Sequence, residues 1–340
     1  MSIDMAVGLF GGLGIFIYGM KQMSEGLQKT AGKRLRHFLA ILTTKPLMGV
    51  TVGTVVTAII QSSSATTVMV VGFVNAGLMT LAQSVGVIMG ANIGTTVTAQ
   101  LIAFKLGDYA FHAIAVGSFT YLFAKSKKFQ YFGQILLGFG LLFLGLETMS
   151  DTMYPLRDSQ FFIDLMESFS VYPILGVLTG IFVTVMVQSS SASFGILLGL
   201  VTVGAVHYDA AIPILLGSNI GTTVTAILSA IGANLTAKRA AAAHFTFNVV
   251  GAGIMIALLY IVPDFSGMIE NMLRNAGAFF GYVNPSEERL LANTHTFFNV
   301  LNTLVWLPFT GFMVMLVKKM LPGEDTTLKY GTTFIDDRML

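Results

Sequence analysis

Residues 46–99 read PLMGVTVGTVVTAIIQSSSATTVMVVGFVNAGLMTLAQSVGVIMGANIGTTVTA, and residues 173–226 read PILGVLTGIFVTVMVQSSSASFGILLGLVTVGAVHYDAAIPILLGSNIGTTVTA. Aligned without a gap at a shift of 127, they are identical at 23 of 54 positions, and the identities fall where two unrelated apolar segments would not agree. Gln61 and Gln188, the three serines after each, Asn92 and Asn219, and the threonines beyond are shared, while Leu, Val and Ile exchange freely. Upstream, Gly12, Gly14, Gly19, Met23 and Ser24 match Gly138, Gly140, Gly145, Met149 and Ser150 at a shift of 126. The chain is a gene duplication whose retained part is polar.

The medium around those polar motifs is apolar. Hydrophobic residues make up 54% of the 340 and charged ones 11%, where a soluble domain carries about 25% charged. Several apolar runs approach the roughly 20 residues that carry a helix across a bilayer, and none alternates with the ten-residue rhythm of a membrane barrel. The fold class is therefore an all-α integral membrane protein. With no cysteine, disulfides and thiolate metal sites are excluded. A net charge of +2 says little about partners, and lipid but no nucleic acid is expected. Ser2 and Asp4 precede the first apolar run without a basic segment or a cleavage site, so that run is expected to be a retained span.

Charge sets the expected topology, because basic short loops stay cytoplasmic. The linker after the first run holds Lys21, Lys29, Lys33, Arg34, Arg36 and Lys45. Its counterpart holds Glu147, Asp151, Asp158, Asp164 and Glu167. One belongs inside and the other outside, so the repeats enter the membrane from opposite faces. Spans are expected near 5–20, 84–104, 108–124, 130–146, 211–231, 240–260 and 290–316, with 46–80 and 173–206 as re-entrant hairpins. This divides the chain into a first repeat (1–128), an inverted second repeat (129–262), an amphipathic segment with an extra final span (263–320) and a cytoplasmic tail (321–340). The N-terminus falls outside, in a cell membrane.

Between Lys45 and Lys105 no side chain is charged, yet hydroxyls and amides are dense there. Each costs several kcal/mol in hydrocarbon if unpaired. Serines and threonines that bond back to carbonyls four residues earlier would account for isolated cases. Three consecutive serines point in different directions and need another explanation. The glycine pairs in Gly90–Gly94 and Gly217–Gly221 predict broken helices, with unwound carbonyls for a small cation and free N–H groups for an anion.

At this point the sequence resembles the type II sodium/phosphate cotransporter family, whose hallmark is a Gln-Ser-Ser-Ser motif in each of two inverted repeats, here at 61–64 and 188–191. The Gly-x-Asn-Ile-Gly-Thr-Thr segments at 90–96 and 217–223 are similar to the family pattern, and the resemblance covers about residues 8–316. It implies sodium-driven transport of inorganic phosphate, a homodimer, and a tail from Gly323 similar to the start of a PhoU-like region, in which case the chain is truncated.

The repeat cores lack the acidic relay of a proton-coupled carrier, and uncharged oxygens suit sodium without repelling phosphate. Bringing a dianion into a negative interior costs about 4.6 kcal/mol per 100 mV, which two sodium ions cancel. Ser62, Ser63, Ser64, Ser189, Ser190 and Ser191 are the candidate phosphate ligands. Gln61, Thr66, Asn92, Thr95, Thr96, Gln188, Asn219, Thr222 and Thr223 are the candidates for sodium, the coupling ion; no cofactor is expected. His244 with Asn248, and His295 with Asn299, each share a helix face, which reads first as interhelical hydrogen bonding. Transport of another small anion such as sulfate or arsenate, phosphate export, an ion channel, and a serine hydrolase using His112, His244 or His295 as base remain as alternatives. Enzymatic activity is not expected.

Overall fold

The structure, a computed structural model, describes residues 3–31, 45–104, 106–279 and 284–323. The basic segment with Lys33, Arg34 and Arg36 and the tail from residue 324 lie outside the described residues. The described residues are helical with no strand. Six helices are long and apolar enough to cross a membrane, and the chain is a multi-pass membrane protein.

The first long helix, α1 (Ile3–Ala31), packs along the matching helix of the second repeat, α6 (Lys127–Met153). Gly8 faces Thr152, Gly19 faces Leu142 and Gly26 faces Tyr131, so the pair is antiparallel. A Cβ on Gly19 would lie 2.7 Å from the Gly138 carbonyl oxygen, and one on Gly138 would lie 2.6 Å from that of Gly19. Gly12 and Gly145 oppose each other in the same way. The shift of 126 converts the Gly12–Gly145 contact into the Gly138–Gly19 contact, so the interface maps onto itself through a pseudo-two-fold axis. Equivalent helices running in opposite directions are what inverted repeats require.

Each motif sits in a hairpin. In the first repeat α2 (Pro46–Ile60) is followed by α3 (Ser63–Asn75) and the long α4 (Leu81–Ile102). Gly49 lies against Gly86, Val50 against Gly90 and Thr54 against Gly94, so α2 runs parallel to α4. Thr98 on α4 reaches Gln61 at the far end of α2. The chain must then return to Leu81, and α3, 13 residues long and rising about 20 Å, makes that return. The second repeat copies this with α8 (Pro173–Val187), α9 (Ser190–Thr202) and α10 (Tyr208–Ser229): Gly176 lies against Pro213, Val177 against Gly217 and Ile181 against Gly221. The amphipathic α7 (Gln160–Val171) precedes α8 at a bend of 112°.

Two expectations need correction. Gly90–Gly94 and Gly217–Gly221 are not unwound; α4 and α10 are continuous through them. The absent Cβ serves approach rather than unwinding, since a Cβ on Gly90 would lie 2.0 Å from the Val50 carbonyl oxygen and one on Gly217 2.0 Å from that of Val177. The helix breaks lie instead at the hairpin tips, residues 61–62 and 188–189. Gly90→Ala should therefore lower the midpoint of thermal unfolding, by an overpacking cost of about 1–3 kcal/mol, whereas an unwound glycine would tolerate alanine. Light scattering during a temperature ramp in detergent measures this. Second, the span expected at 108–124 is the 14-residue helix α5 (Ala110–Phe123), whose rise of about 21 Å falls short of a hydrocarbon core of about 30 Å.

The remaining helices are α11 (Leu235–Ile261), the amphipathic α12 (Phe265–Phe279), α13 (Glu287–Trp306) and α14 (Thr310–Met320), the last two separated by a turn through Pro308. Both α11 and α13 pack against α4 and α10.

Candidate functional site

The two tips have the same construction. Gln61 closes α2 in the left-handed conformation, φ 59° and ψ 28°, and Gln188 closes α8 at φ 58° and ψ 22°. The next residue, Ser62 or Ser189, is extended and caps the following helix. Ser62 Oγ accepts the Ala65 N–H at 3.1 Å, and Ser189 Oγ accepts the Ala192 N–H at 3.2 Å. This leaves the N–H groups of Ser63 and Ser64, and of Ser190 and Ser191, ahead of the first intrahelical bond of α3 and α9. Each tip thus presents the partial negative charge of one helix C-terminus beside the partial positive charge of another's N-terminus.

Both tips line one cavity of about 330 Å³, bounded by residues 61–65, residues 188–191 and one face of α1. Ser63, Ser190 and Ser191 are buried there, Ser62, Ser64 and Ser189 half-buried. Gln61 is buried and Gln188 exposed. Of the sequence-predicted residues, the six serines and the two glutamines come together. Thr66, Asn92, Thr95, Thr96, Asn219, Thr222 and Thr223 do not line this cavity.

Most of those seven bond back along their own helices, the ordinary behaviour of hydroxyls and amides in a bundle. Asn92 Nδ2 donates to the Ile88 carbonyl at 2.9 Å, Thr95 to Ala91 at 3.1 Å and Thr96 to Ile93 at 2.7 Å. Thr222 donates to Ser218 at 3.0 Å, Thr223 to Ile220 at 2.7 Å, and Thr66 to the Ser62 carbonyl at 3.1 Å while accepting from Thr57. Asn219 differs, its Oδ1 lying 3.1 Å from His295 Nε2 across the α10–α13 interface. Asn248 and Asn299 each donate to the carbonyl of the histidine one turn before, at 3.0 Å and 2.9 Å. Among the described residues no histidine lines the serine cavity, and His112, His244 and His295 lie elsewhere.

The tips are held unequally. Thr98 donates to Gln61 Oε1 at 2.9 Å, and Gln61 Nε2 donates to the Ala58 carbonyl. Thr225, the equivalent of Thr98, bonds its own helix at the Thr222 carbonyl, 2.9 Å away, and Gln188 Nε2 donates to the Val185 carbonyl at 2.9 Å. Ser24 on α1 donates to the Ile60 carbonyl beside the first tip and accepts from Gln28 at 2.9 Å. Lys21, Ser24, Glu25 and Gln28 line the cavity and are absent from the sequence-derived candidates. The matched pair Ser24/Ser150 is the signal in the sequence that marks this face.

The Na+/Pi-cotransporter family matches residues 15–151 and 159–281. The chain belongs to that family. The Bacillus subtilis protein YqeW, itself uncharacterised, is 29% identical over 309 residues, covering 91% of this chain and 96% of its own length. Escherichia coli YjbB, provisionally named as an inorganic phosphate export protein, is 26% identical over 324 residues, and this chain spans 57% of its length. Human sodium-dependent phosphate transport protein 2B is 36% identical over 103 residues, 29% of this chain and 15% of that protein. No solved structure matches the chain. As a member of this cotransporter family it is a transporter, and YjbB and protein 2B are named for phosphate.

Proposed function

We propose that the chain is a sodium-coupled phosphate symporter working by alternating access, with phosphate held between the two serine tips. One observation carries this reading: two helix N-termini from oppositely oriented repeats, each with a serine cap and free N–H groups, face the same 330 Å³ cavity. Helix N-termini are anion sites, and uncharged donors let an anion enter a low-dielectric slab without a permanently buried counter-charge. Ser63, Ser64, Ser190 and Ser191 bind through N–H and hydroxyl groups, while Ser62 and Ser189 hold the helix starts in place. Sodium binds beside them, at the C-terminal carbonyls of α2 and α8 and the amide oxygens of Gln61 and Gln188, and supplies the counter-charge. The buried polar residues of α4 and α10, from Asn92 to Thr96 and from Asn219 to Thr223, take part in the sodium sites or shape the bed on which the hairpins rest.

The membrane is the cell membrane, with the C-terminus cytoplasmic. Clustering of basic residues supports this. Arg239 at the start of α11 donates to the Leu321 and Gly323 carbonyls just past the end of α14, which brings Lys238, Lys318 and Lys319 to one end of the bundle, and Lys29 near the end of α1 donates to Gln134, two turns into the helix that Lys127 and Lys128 begin.

Proteoliposomes test the reading directly. An inward sodium gradient should drive uptake of labelled phosphate, while potassium or proton gradients, or labelled sulfate in place of phosphate, should give background flux. Equal uptake under all three gradients would refute sodium coupling, and preferred sulfate would refute the substrate.

A further inference from the structure

Among the described residues, the serine cavity has one cationic neighbour, which the duplicated motifs do not supply. Lys21 lines it from α1, one turn before Ser24, whose hydroxyl bonds the Ile60 carbonyl at the first tip. The lysine therefore sits at the level of the tips rather than in a distant vestibule. The carboxylate nearest to it in sequence, Glu25, is committed elsewhere: its Oε2 accepts from Lys29 at 3.3 Å and from the buried Gln134 at 3.2 Å. Among the described residues Lys21 has no carboxylate partner.

The pseudo-two-fold axis provides an internal comparison. The shift of 126 carries Ile17, Met20, Lys21, Ser24 and Glu25 onto Phe143, Leu146, Glu147, Ser150 and Asp151. Those five residues line a second cavity toward the other end of the α1–α6 pair, one that includes Leu198 and Thr202 and does not include the serine tips. Packing thus accepts either sign of charge at this position of the helix pair. The lysine stands on the side that reaches the six serines and the glutamate on the side that does not.

We infer that Lys21 is a specificity-determining residue for phosphate, the point charge that complements the anion while it occupies the cavity open along α1. Neutral donors at the tips can satisfy any tetrahedral oxyanion, so they select geometry. A flexible ammonium adds selection for charge and releases the anion readily, because it does not hold oxygens bidentately as arginine does. This rests on the phosphate-transport reading above.

The chain has no cysteine, which makes the test clean. In oriented proteoliposomes with the α1-side cavity facing the labelled phosphate, Lys21→Gln and Lys21→Cys should raise the phosphate KM about tenfold, the size of one partly screened charge contact, and leave maximal flux within about twofold. Coupling a cationic aminoethyl methanethiosulfonate to Lys21→Cys should restore the KM, and an anionic sulfonatoethyl reagent should raise it further. Lys127→Gln, which removes an exposed charge from the start of α6, should leave the KM unchanged. An unchanged KM in Lys21→Gln, or equal effects of the two reagents, would overturn the inference. So would lost flux at constant KM, which a merely structural lysine would give. If wild-type protein moves phosphate and only the Lys21 predictions fail, the transport reading stands without this residue; if wild-type protein moves no phosphate, the transport reading itself fails.

Discussion

Replacing Ser63 and Ser190 together by alanine is expected to cut sodium-driven phosphate uptake to below about 1% of wild type. Each hydroxyl is buried at the first turn of its helix and lines the shared cavity. A hydrogen bond to a charged group contributes about 1.5–3 kcal/mol, so each single alanine should cost about ten- to a hundredfold in apparent affinity or rate, and the pair more than either alone. The choice of positions matters. Ser62 and Ser189 are the helix caps, and removing them would loosen α3 and α9 by about 1 kcal/mol each, confounding binding with folding. Ser63 and Ser190 cap nothing, so thermal stability should stay near wild type while transport is lost. The measurement is labelled phosphate uptake beside a thermal melt of the same preparation. Normal uptake in the double variant would remove the serine tips from the substrate site, whatever the family.

How far the sequence could lead is clearest at particular residues. Gln61 through Ser64 and their copies were legible because nothing in a lipid-facing bundle explains consecutive polar residues repeated at a fixed shift. Inversion was legible from loop charge, and the antiparallel glycine contacts of α1 with α6 establish it independently. The glycines of Gly90–Gly94 and Gly217–Gly221 were misread for a physical reason. Lack of a Cβ permits both unwinding and close approach, and only the neighbouring helix decides between them; here the carbonyls of Val50 and Val177 occupy the space. The contribution of α1 was hidden because Lys21 and Glu25 read as loop charges, while the helix continues through them to Ala31. The polar residues of α4 and α10 illustrate another limit. Thr95, Thr96, Thr222 and Thr223 each bond a carbonyl three or four residues back, a satisfaction that composition cannot distinguish from ligand binding.

Glycine at both tip glutamines is expected to separate stability from function. Gln61 and Gln188 hold the left-handed conformation, which costs a residue with a Cβ about 1 kcal/mol and glycine almost nothing. Two such residues at equivalent, cavity-lining positions suggest strain retained for what the side chains do. Gln188→Gly should therefore raise the unfolding midpoint, since its amide bonds only the Val185 carbonyl and is otherwise exposed to the cavity. Gln61→Gly should gain less or nothing, because it also leaves the Thr98 hydroxyl without its acceptor. Both should lose transport, with the sodium concentration for half-maximal uptake rising about tenfold or more as an amide oxygen is removed from the cation. The direction of the two effects is the informative part. A fall in stability with unchanged sodium dependence would mean that the glutamines only build the turn. A stabilised protein with weakened sodium dependence would place the coupling ion at the helix breaks, where Gln61 and Gln188 line the same cavity as the N-termini of α3 and α9.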